Sequence, residues 1–331
     1  MYYRVKRLIP RRVQLAARRG LIAWRGNPDF PRWPHDDSVE RLAGFYGACV
    51  LRALRCSEVS FRWFWPNGYR AAAILTHDIE GVSGMRNALR VAEIEERHGL
   101  RSSFNVVGDW YPIDWGVLRE LSARGHEIGS HALHHDRSLF SSRAEFERQL
   151  PLLRSSVAQL GARGFRSPAT HRVPEWFAEL PVDYDLTMPL SDPYEAQPGG
   201  TCSAWPFFVG NVLEMPYTLP QDHTLFTLMG RRDPSLWVDQ MRRVKRSFGL
   251  IQCLSHPDAD YLADQRNESS YREFLDALRS HDDVWHALPR DVSRWWRARA
   301  AGESLPGLAL VRGRLVTDHS SNLAVIRPPQ R

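Results

Sequence analysis

The sequence predicts an α/β fold: a mostly parallel sheet covered by helices, with enough strand–helix units to close a barrel. Three observations carry this. Short apolar runs alternate with helical patterns from residue 71 onward, the mark of parallel strands joined by helical crossovers. The first run, AAAILTHDIEG at 71–81, ends abruptly in polar and charged residues, as barrel strands do where they deliver functional side chains. Finally, 331 residues with 43% hydrophobic and 25% charged side chains are globular in composition and long enough for one large domain or two ordinary ones.

Taken in order, residues 1–26 carry arginine and lysine but no acidic residue, interleaved with Tyr2, Tyr3, Val5, Leu8, Ile9, Leu15, Leu21 and Trp24. This reads as a cationic amphipathic arm, suited to an anionic membrane or a partner, or else as a solvated helix packed across the domain. Residues 27–35, rich in proline and tryptophan, read as a linker. From 38 to 55 a helical pattern puts Leu42, Phe45, Tyr46, Cys49 and Ala53 at spacings suited to one buried face. The strand at 71–79 is followed by a helix closing at Gly99 and a strand at 103–107. Asp114 caps the next helix, which ends at Gly125. A short strand at 126–130 precedes a helix opened by Ser142, with Glu145 three residues on as in a capping box. Further strands are expected at 164–166, 184–187, 212–215, 250–254 and 284–287, with helices at 236–248 and 271–278. The proline-rich stretch 189–221 breaks this rhythm and reads as a long insertion bordering the site. The tail 308–328 reads as a hairpin, and the expected organisation is 1–65, a basic, mostly helical extension; 66–300, the barrel; and 301–331, a β tail.

Charge and composition limit the partners. A formal charge of +6 and a pI near 9.3 favour anionic surfaces. No zinc-finger spacing, RNP-like aromatic run or basic helix with stacking residues points to nucleic acid. Cys49, Cys56, Cys202 and Cys253 lack metal-type pairing and suggest a reducing compartment, with Cys253 a small core residue. No apolar segment approaches the roughly 20 residues needed to span a bilayer. A cytoplasmic protein, membrane-associated at most through its basic N-terminal arm, is the expectation.

Two segments carry chemistry. In the strand at 71–81 side chains alternate, so Thr76, Asp78 and Glu80 share one side while His77 faces the other. The two carboxylates then lie about 7 Å apart, too far to grip one ion symmetrically, yet close enough for one to bind metal while the other addresses its water. The second segment, GHEIGSHALHHDR, sets His131, His134 and His135 just after a strand. On a helical turn, residues four apart hold their Cβ atoms about 5–6 Å apart, which suits His131 and His135 as ligands of one zinc ion, with His134 a geometric substitute. Asp136 is a candidate to hold a ligand imidazole from behind.

These segments, and the order of the motifs downstream of them, resemble the NodB-type polysaccharide deacetylases, carbohydrate esterase family 4. The resemblance implies an irregular (β/α)7-type barrel. The family's metal motif, His-(Ser/Thr)-x-x-His, reads here His131-Ala132-Leu133-His134-His135, departing only at Ala132. Its Thr-Phe-Asp-Asp-Gly motif is similar to Thr76-His77-Asp78-Ile79-Glu80-Gly81, with Asp78 at the base position and the metal carboxylate moved to Glu80; the reverse assignment stays open. Its Arg-x-Pro motif looks like Arg166-Ser167-Pro168-Ala169-Thr170, without the aromatic and glycine that usually complete it. The resemblance gives Arg166 the orienting of the catalytic aspartate, and the Ala169 N–H a share of the oxyanion. The Leu-x-x-His motif is similar to Leu254-Ser255-His256, one residue shorter, and implies His256 as general acid. Asp185 and Trp205 are candidates for the family's Asp/Trp pair, and the stretch 214–224, with His223, for lining a groove.

The implied function is removal of N-acetyl groups from an amino-sugar polysaccharide or glycan precursor. It would use a divalent ion, Zn²⁺ before Co²⁺, Ni²⁺ or Mn²⁺, held by Glu80, His131 and His135. Asp78, His256 and Arg166 would be catalytic, and Ala169, Trp205 and His223 would meet the substrate. The alternatives are a metal-dependent amidase or imidase acting on a small non-sugar amide, and a carbohydrate-binding protein without catalysis.

Overall fold

The computed structural model describes residues 11–26, 28–318 and 323–329. Two helices come first, α1 (Arg11–Arg25) and α2 (Ser38–Leu54), then a short strand, β1 (Glu58–Arg62). The main sheet begins with β2 (Ala71–Ile79), all nine residues of which are buried. It continues through α3 (Val82–Arg97), β3 (Ser103–Val106), α4 (Trp115–Ala123), β4 (Glu127–Ser130), α5 (Arg143–Leu160), β5 (Gly164–Phe165), β6 (Tyr184–Asp185), β7 (Phe207–Val209) and β8 (Val212–Glu214). The chain then runs through α6 (Ser235–Arg246), β9 (Leu250–Ser255), α7 (Gln265–Arg279), β10 (Val284–His286) and α8 (Pro289–Ala301) to the hairpin β11 (Arg312–Thr317) and β12 (Ala324–Arg327).

β2 is the hub. Its residues 72–77 pair in parallel with β9 on one edge, while β10 at 71–73 and β3 at 76–79 share the other. From β3 the sheet runs in parallel through β4, β5, β6 and β8, and ends in the antiparallel pair β8–β7. It curls until Thr218 and Leu219 donate their amides to the Gln252 carbonyl of β9, at 3.3 and 3.1 Å. Between β8 and β9 the circle is thus closed by an irregular segment, matching the irregular barrel expected.

The local signals explain the elements. Asp114 caps α4 by accepting from the amides of Gly116 and Val117, and Ser142 accepts from the Glu145 amide to open α5. The capping box is half made, because the Glu145 carboxylate turns to Arg148 and Gln149 instead. Leu75, Ile79, Phe104 and Val106 pack against α3 and α7 through Met85, Val91, Phe274 and Leu275. His77, on the face of β2 opposite Asp78, is buried with Glu95 (Nε2 to Oε1 2.7 Å) and Ser255 (Nδ1 to Oγ 2.9 Å). Tyr271 also donates to Glu95, so the strand is tied to α3, β9 and α7 by polar contacts as well as by burial.

One expectation is corrected here. α2 turns Gly44, Gly47 and Leu51 inward, against Leu315, Leu323 and Ala324 of the C-terminal segment. Leu42, Phe45, Tyr46, Cys49 and Ala53, read as its buried face, are exposed. A helix can approach a sheet closely through glycines, and here that close approach decides the orientation over apolar spacing. The tail forms the expected hairpin, β11 with β12, and β1 adds to it antiparallel along β11 to make a three-stranded sheet.

One buried acid makes stability depend on pH. Glu127 accepts from the Tyr184 hydroxyl at 2.5 Å and the Arg290 amide at 3.0 Å; burial pushes its carboxyl up to about 7. A raised folded-state value means the stabilising balance is complete below the unfolded value and is lost as pH rises through about 7. Glu127→Gln should therefore gain stability relative to the parent at about pH 8, by at most about 3 kcal/mol, with the gain vanishing towards about pH 4.5. Urea unfolding at the two pH values checks this.

Candidate active site at the strand ends

Asp78 is the last but one residue of β2 and is almost fully buried, 3% exposed. Its Oδ1 accepts from Asn105 Nδ2 at 2.8 Å and faces Arg166 Nη1 at 3.2 Å. Gly129 on β4 makes room for this, since a β-carbon there would collide with the Asn105 carboxamide. Burial by itself would raise the Asp78 carboxyl, but Arg166, His131, His256 and the Asn105 amide more than offset that and hold it below the usual carboxylate range. Arg166, fully buried after β5, also donates to Thr76 Oγ1 and to the Leu186 carbonyl, each at 2.9 Å. It thus fixes the end of β2 from the far side of the sheet.

The histidines come after β4. His131 Nδ1 lies 2.9 Å from the Arg166 carbonyl; a carbonyl only accepts, so Nδ1 carries the proton and the Nε2 lone pair points the other way. Burial pushes this imidazole down to about 4, keeping it neutral. His135 reaches the same place, its ring centroid 5.4 Å from that of His131. The route is not the helical turn expected: residues 131–136 form an irregular turn in which Ala132 has φ +62°. His134 is turned away, its Nδ1 donating to the Asp109 carbonyl at 2.9 Å. Asp136 holds no imidazole; it accepts from the Ser138 amide, and the Arg166 carbonyl orients His131 in its stead.

Glu80 lies one residue past the end of β2, and Asp258 secures it. The Asp258 carboxylate accepts from the Glu80 amide at 3.3 Å and the Gly84 amide at 2.9 Å, in a space that a β-carbon at Gly84 would fill. Glu80 Oε1 comes within 2.8 Å of His135 Nε2 and 3.5 Å of His256 Nε2. Burial would raise the Glu80 carboxyl, yet His256, His135 and His131 hold it well below its ordinary value.

His256 comes directly after β9. Its Nδ1 donates to Asp222 Oδ1 and its amide to Asp222 Oδ2, both at 2.7 Å. Burial opposes protonation, but Asp222, Glu80 and Asp78 outweigh it and raise the imidazole to about 10. The sequence does not mark Asp222 as a partner of His256 and places it only within a groove-lining stretch; a carboxylate 34 residues away carries no local spacing signal.

The remaining candidates divide. Ala169 is exposed at the loop after β5, and both it and Thr170 have positive φ, +48° and +52°. This is a region that non-glycine residues enter at a cost of about 1–3 kcal/mol and that clusters at functional sites. His223 is linked to the site through Tyr261: its Nδ1 lies 3.1 Å from the Tyr261 hydroxyl, and the Tyr261 ring lies 4.8 Å from that of His256. Trp205 is elsewhere. Its indole donates to the Ser247 carbonyl and its ring stacks on Phe64 at 5.2 Å, within the apolar cluster around Ala72, Ile74 and Trp296 at the opposite end of β2. It does not pair with Asp185, which accepts from Thr187 behind Arg166.

One donor atom from each of Glu80, His131 and His135 falls within 4.8 Å of the other two. The Nε2 atoms of both histidines are buried without a hydrogen-bond partner, the His135 contact with Glu80 being close but not aligned as a hydrogen bond. Two orphaned imidazole nitrogens beside an ionised carboxylate fit a divalent cation of the zinc type. Such a donor set at the strand ends of a barrel lies where barrel enzymes assemble their active sites.

Comparison with known proteins agrees. Residues 70–174, which include Asp78, Glu80, His131, His135 and Arg166, match the family model for polysaccharide deacetylase. Through this segment, about a third of its length, the chain is similar to the polysaccharide deacetylase family. The fold is shared with solved structures assigned as polysaccharide deacetylases. One, from Mycobacterium smegmatis, has 18% identity and a TM-score of 0.57, covering 72% of this chain and 94% of that one. Another, from Pseudomonas aeruginosa PAO1, has 17% identity and a TM-score of 0.54, covering 70% and 93%. The Puue allantoinase structure is similar to the same degree, at 17% identity and a TM-score of 0.53, covering 71% and 92%. No curated protein matches the chain in sequence. Among the described residues no helix is long and apolar enough to cross a membrane.

Proposed function

We propose that this protein removes N-acetyl groups from an amino-sugar glycan, with Glu80, His131 and His135 holding a divalent ion, most simply Zn²⁺. The observation that carries the reading is the pair of orphaned Nε2 atoms converging with Glu80 between a buried ionised acid, Asp78, and a protonated imidazole, His256. When bound, the ion supplies an acidified water and a polarised carbonyl. Asp78, fixed by Arg166 and Asn105, accepts the proton of the attacking water. The Ala169 N–H donates to the developing oxyanion, a role that its left-handed backbone in the loop after β5 supports. His256, its Nδ1 held by Asp222, delivers the Nε2 proton to the departing amine. Acetate and a free amino sugar are the products. The four cysteines, none in a disulfide, support a reducing compartment such as the cytoplasm.

A second reading, a metal-dependent amidase acting on a small non-sugar amide, is favoured by the similar TM-score of the allantoinase structure and by Ala169-Thr170 standing where the family has an aromatic and a glycine. Incubating the purified protein with N-acetylhexosamine oligomers should release acetate. Ring opening of cyclic imides with no acetate from any oligomer would replace the first reading with the second.

A further inference from the structure

The outward face of α2 is apolar and has no cover among the described residues. Leu42, Phe45 and Tyr46 are 65, 55 and 69% exposed, with Cys49 and Ala53 continuing the same stripe, while Gly44, Gly47 and Leu51 hold the opposite side against the C-terminal strands. Of the eleven large apolar side chains exposed among the described residues, seven precede residue 55, Trp24 at 81% and Phe30 at 68% among them. Arg41, Arg52 and Arg55 border the stripe and are exposed. The charge is as uneven as the hydrophobicity. Residues 1–55 contain twelve Lys and Arg against four Asp and Glu, a net +8. With the whole chain at +6, the remaining residues net −2.

This extension also reaches the candidate site. In α1, Arg18 Nη1 lies 3.2 Å from His223 Nε2 and the same guanidinium donates to the Tyr194 carbonyl. Arg19 donates to the Thr227 carbonyl at 2.6 Å. His223 in turn meets Tyr261, whose ring packs against that of His256.

We propose that the outer face of α2, together with the cationic α1, docks on an anionic lipid surface. Aliphatic and aromatic side chains bordered by arginine match the boundary between acyl chains and anionic headgroups, where tyrosine and tryptophan rings are favoured. A second copy of this chain is a poorer occupant, because it would set +8 against +8. Resting on the deacetylase reading above, contact of α1 with the same surface turns the side of the site shared by Arg18 and His223 toward the lipid and selects an N-acetylated glycan carried on a lipid anchor over a free oligomer.

Co-sedimentation of the full chain with vesicles of phosphatidylcholine alone, and of phosphatidylcholine mixed with phosphatidylglycerol, tests the docking with no substrate present. Binding to the anionic vesicles should be at least about tenfold tighter than to the neutral ones and should weaken with added salt. Phe45→Ser/Tyr46→Ser should lose at least about tenfold of it, with thermal unfolding unchanged; Leu42→Gln gives an independent check in the same direction. Equal binding to both vesicles, binding that survives these substitutions, or self-association that the substitutions abolish in a protein that binds no vesicle would each overturn the proposal. Acetate release from a soluble oligomer reports the deacetylase reading separately. The double variant should keep that rate and lose its rate on a vesicle-borne N-acetylated glycolipid.

Discussion

His131→Ala, and separately His135→Ala, should abolish metal binding and activity together. Each substitution removes one of the two orphaned Nε2 atoms, leaving a single imidazole and Glu80, too few protein donors for a zinc-type site. Even partners behind the ligands typically matter 10–100-fold, so loss of a ligand should exceed about a hundredfold in acetate release. Elemental analysis of the purified variants reads the metal directly, and circular dichroism separates ligand loss from misfolding at His131, which is buried. A His131→Ala protein that retains stoichiometric, tightly held metal would remove the site from this location. A parent protein that holds no metal when purified in zinc-supplemented medium would favour the carbohydrate-binding alternative.

Asp78→Asn should do the reverse: metal retained, turnover reduced by about 10²–10⁴, the usual scale for a lost general base. Asparagine keeps the Oδ1 acceptor that Asn105 and Arg166 address, so the end of β2 should hold its shape. What disappears is the ionised oxygen, Oδ2, which faces His131 Nε2 at 3.9 Å, too long for a hydrogen bond. Metal content and single-turnover acetate release on the same sample check the split. Should Asp78→Asn shed the ion while Glu80→Gln keeps it, the two carboxylates have exchanged roles. The donor geometry supports the present order, since the metal-type triad contains Glu80 and not Asp78.

Much of the fold is legible in the sequence because its signals are local. The apolar run of β2, the caps at Asp114 and Ser142, and the apolar stretch of β9 stopped by Pro257 each depend on neighbours a few residues apart. The convergence of His131, His135 and Glu80 is also within reach, from two motifs at the ends of β2 and β4. What the sequence hides is set by distant contacts. Asp222 meets His256 only because the segment after β8 folds back over β9. Trp205 looks available for sugar stacking until Phe64 and the Ser247 carbonyl take both its face and its N–H. The orientation of α2 depends on a close glycine contact with the C-terminal strands, which no periodicity reports. The imidazole pair shows the opposite error: the right residues meet, but through a left-handed Ala132 rather than a helical turn.

His256 and Asp258 stand either side of a single proline, and Asp258 is what grips the Glu80 main chain. Pro257, with its fixed φ, joins the imidazole beside Glu80 Oε1 to the carboxylate that holds the Glu80 amide. The 3.5 Å between His256 Nε2 and Glu80 Oε1 is therefore governed by this short stretch and by Asp222, which returns to the imidazole from the segment after β8.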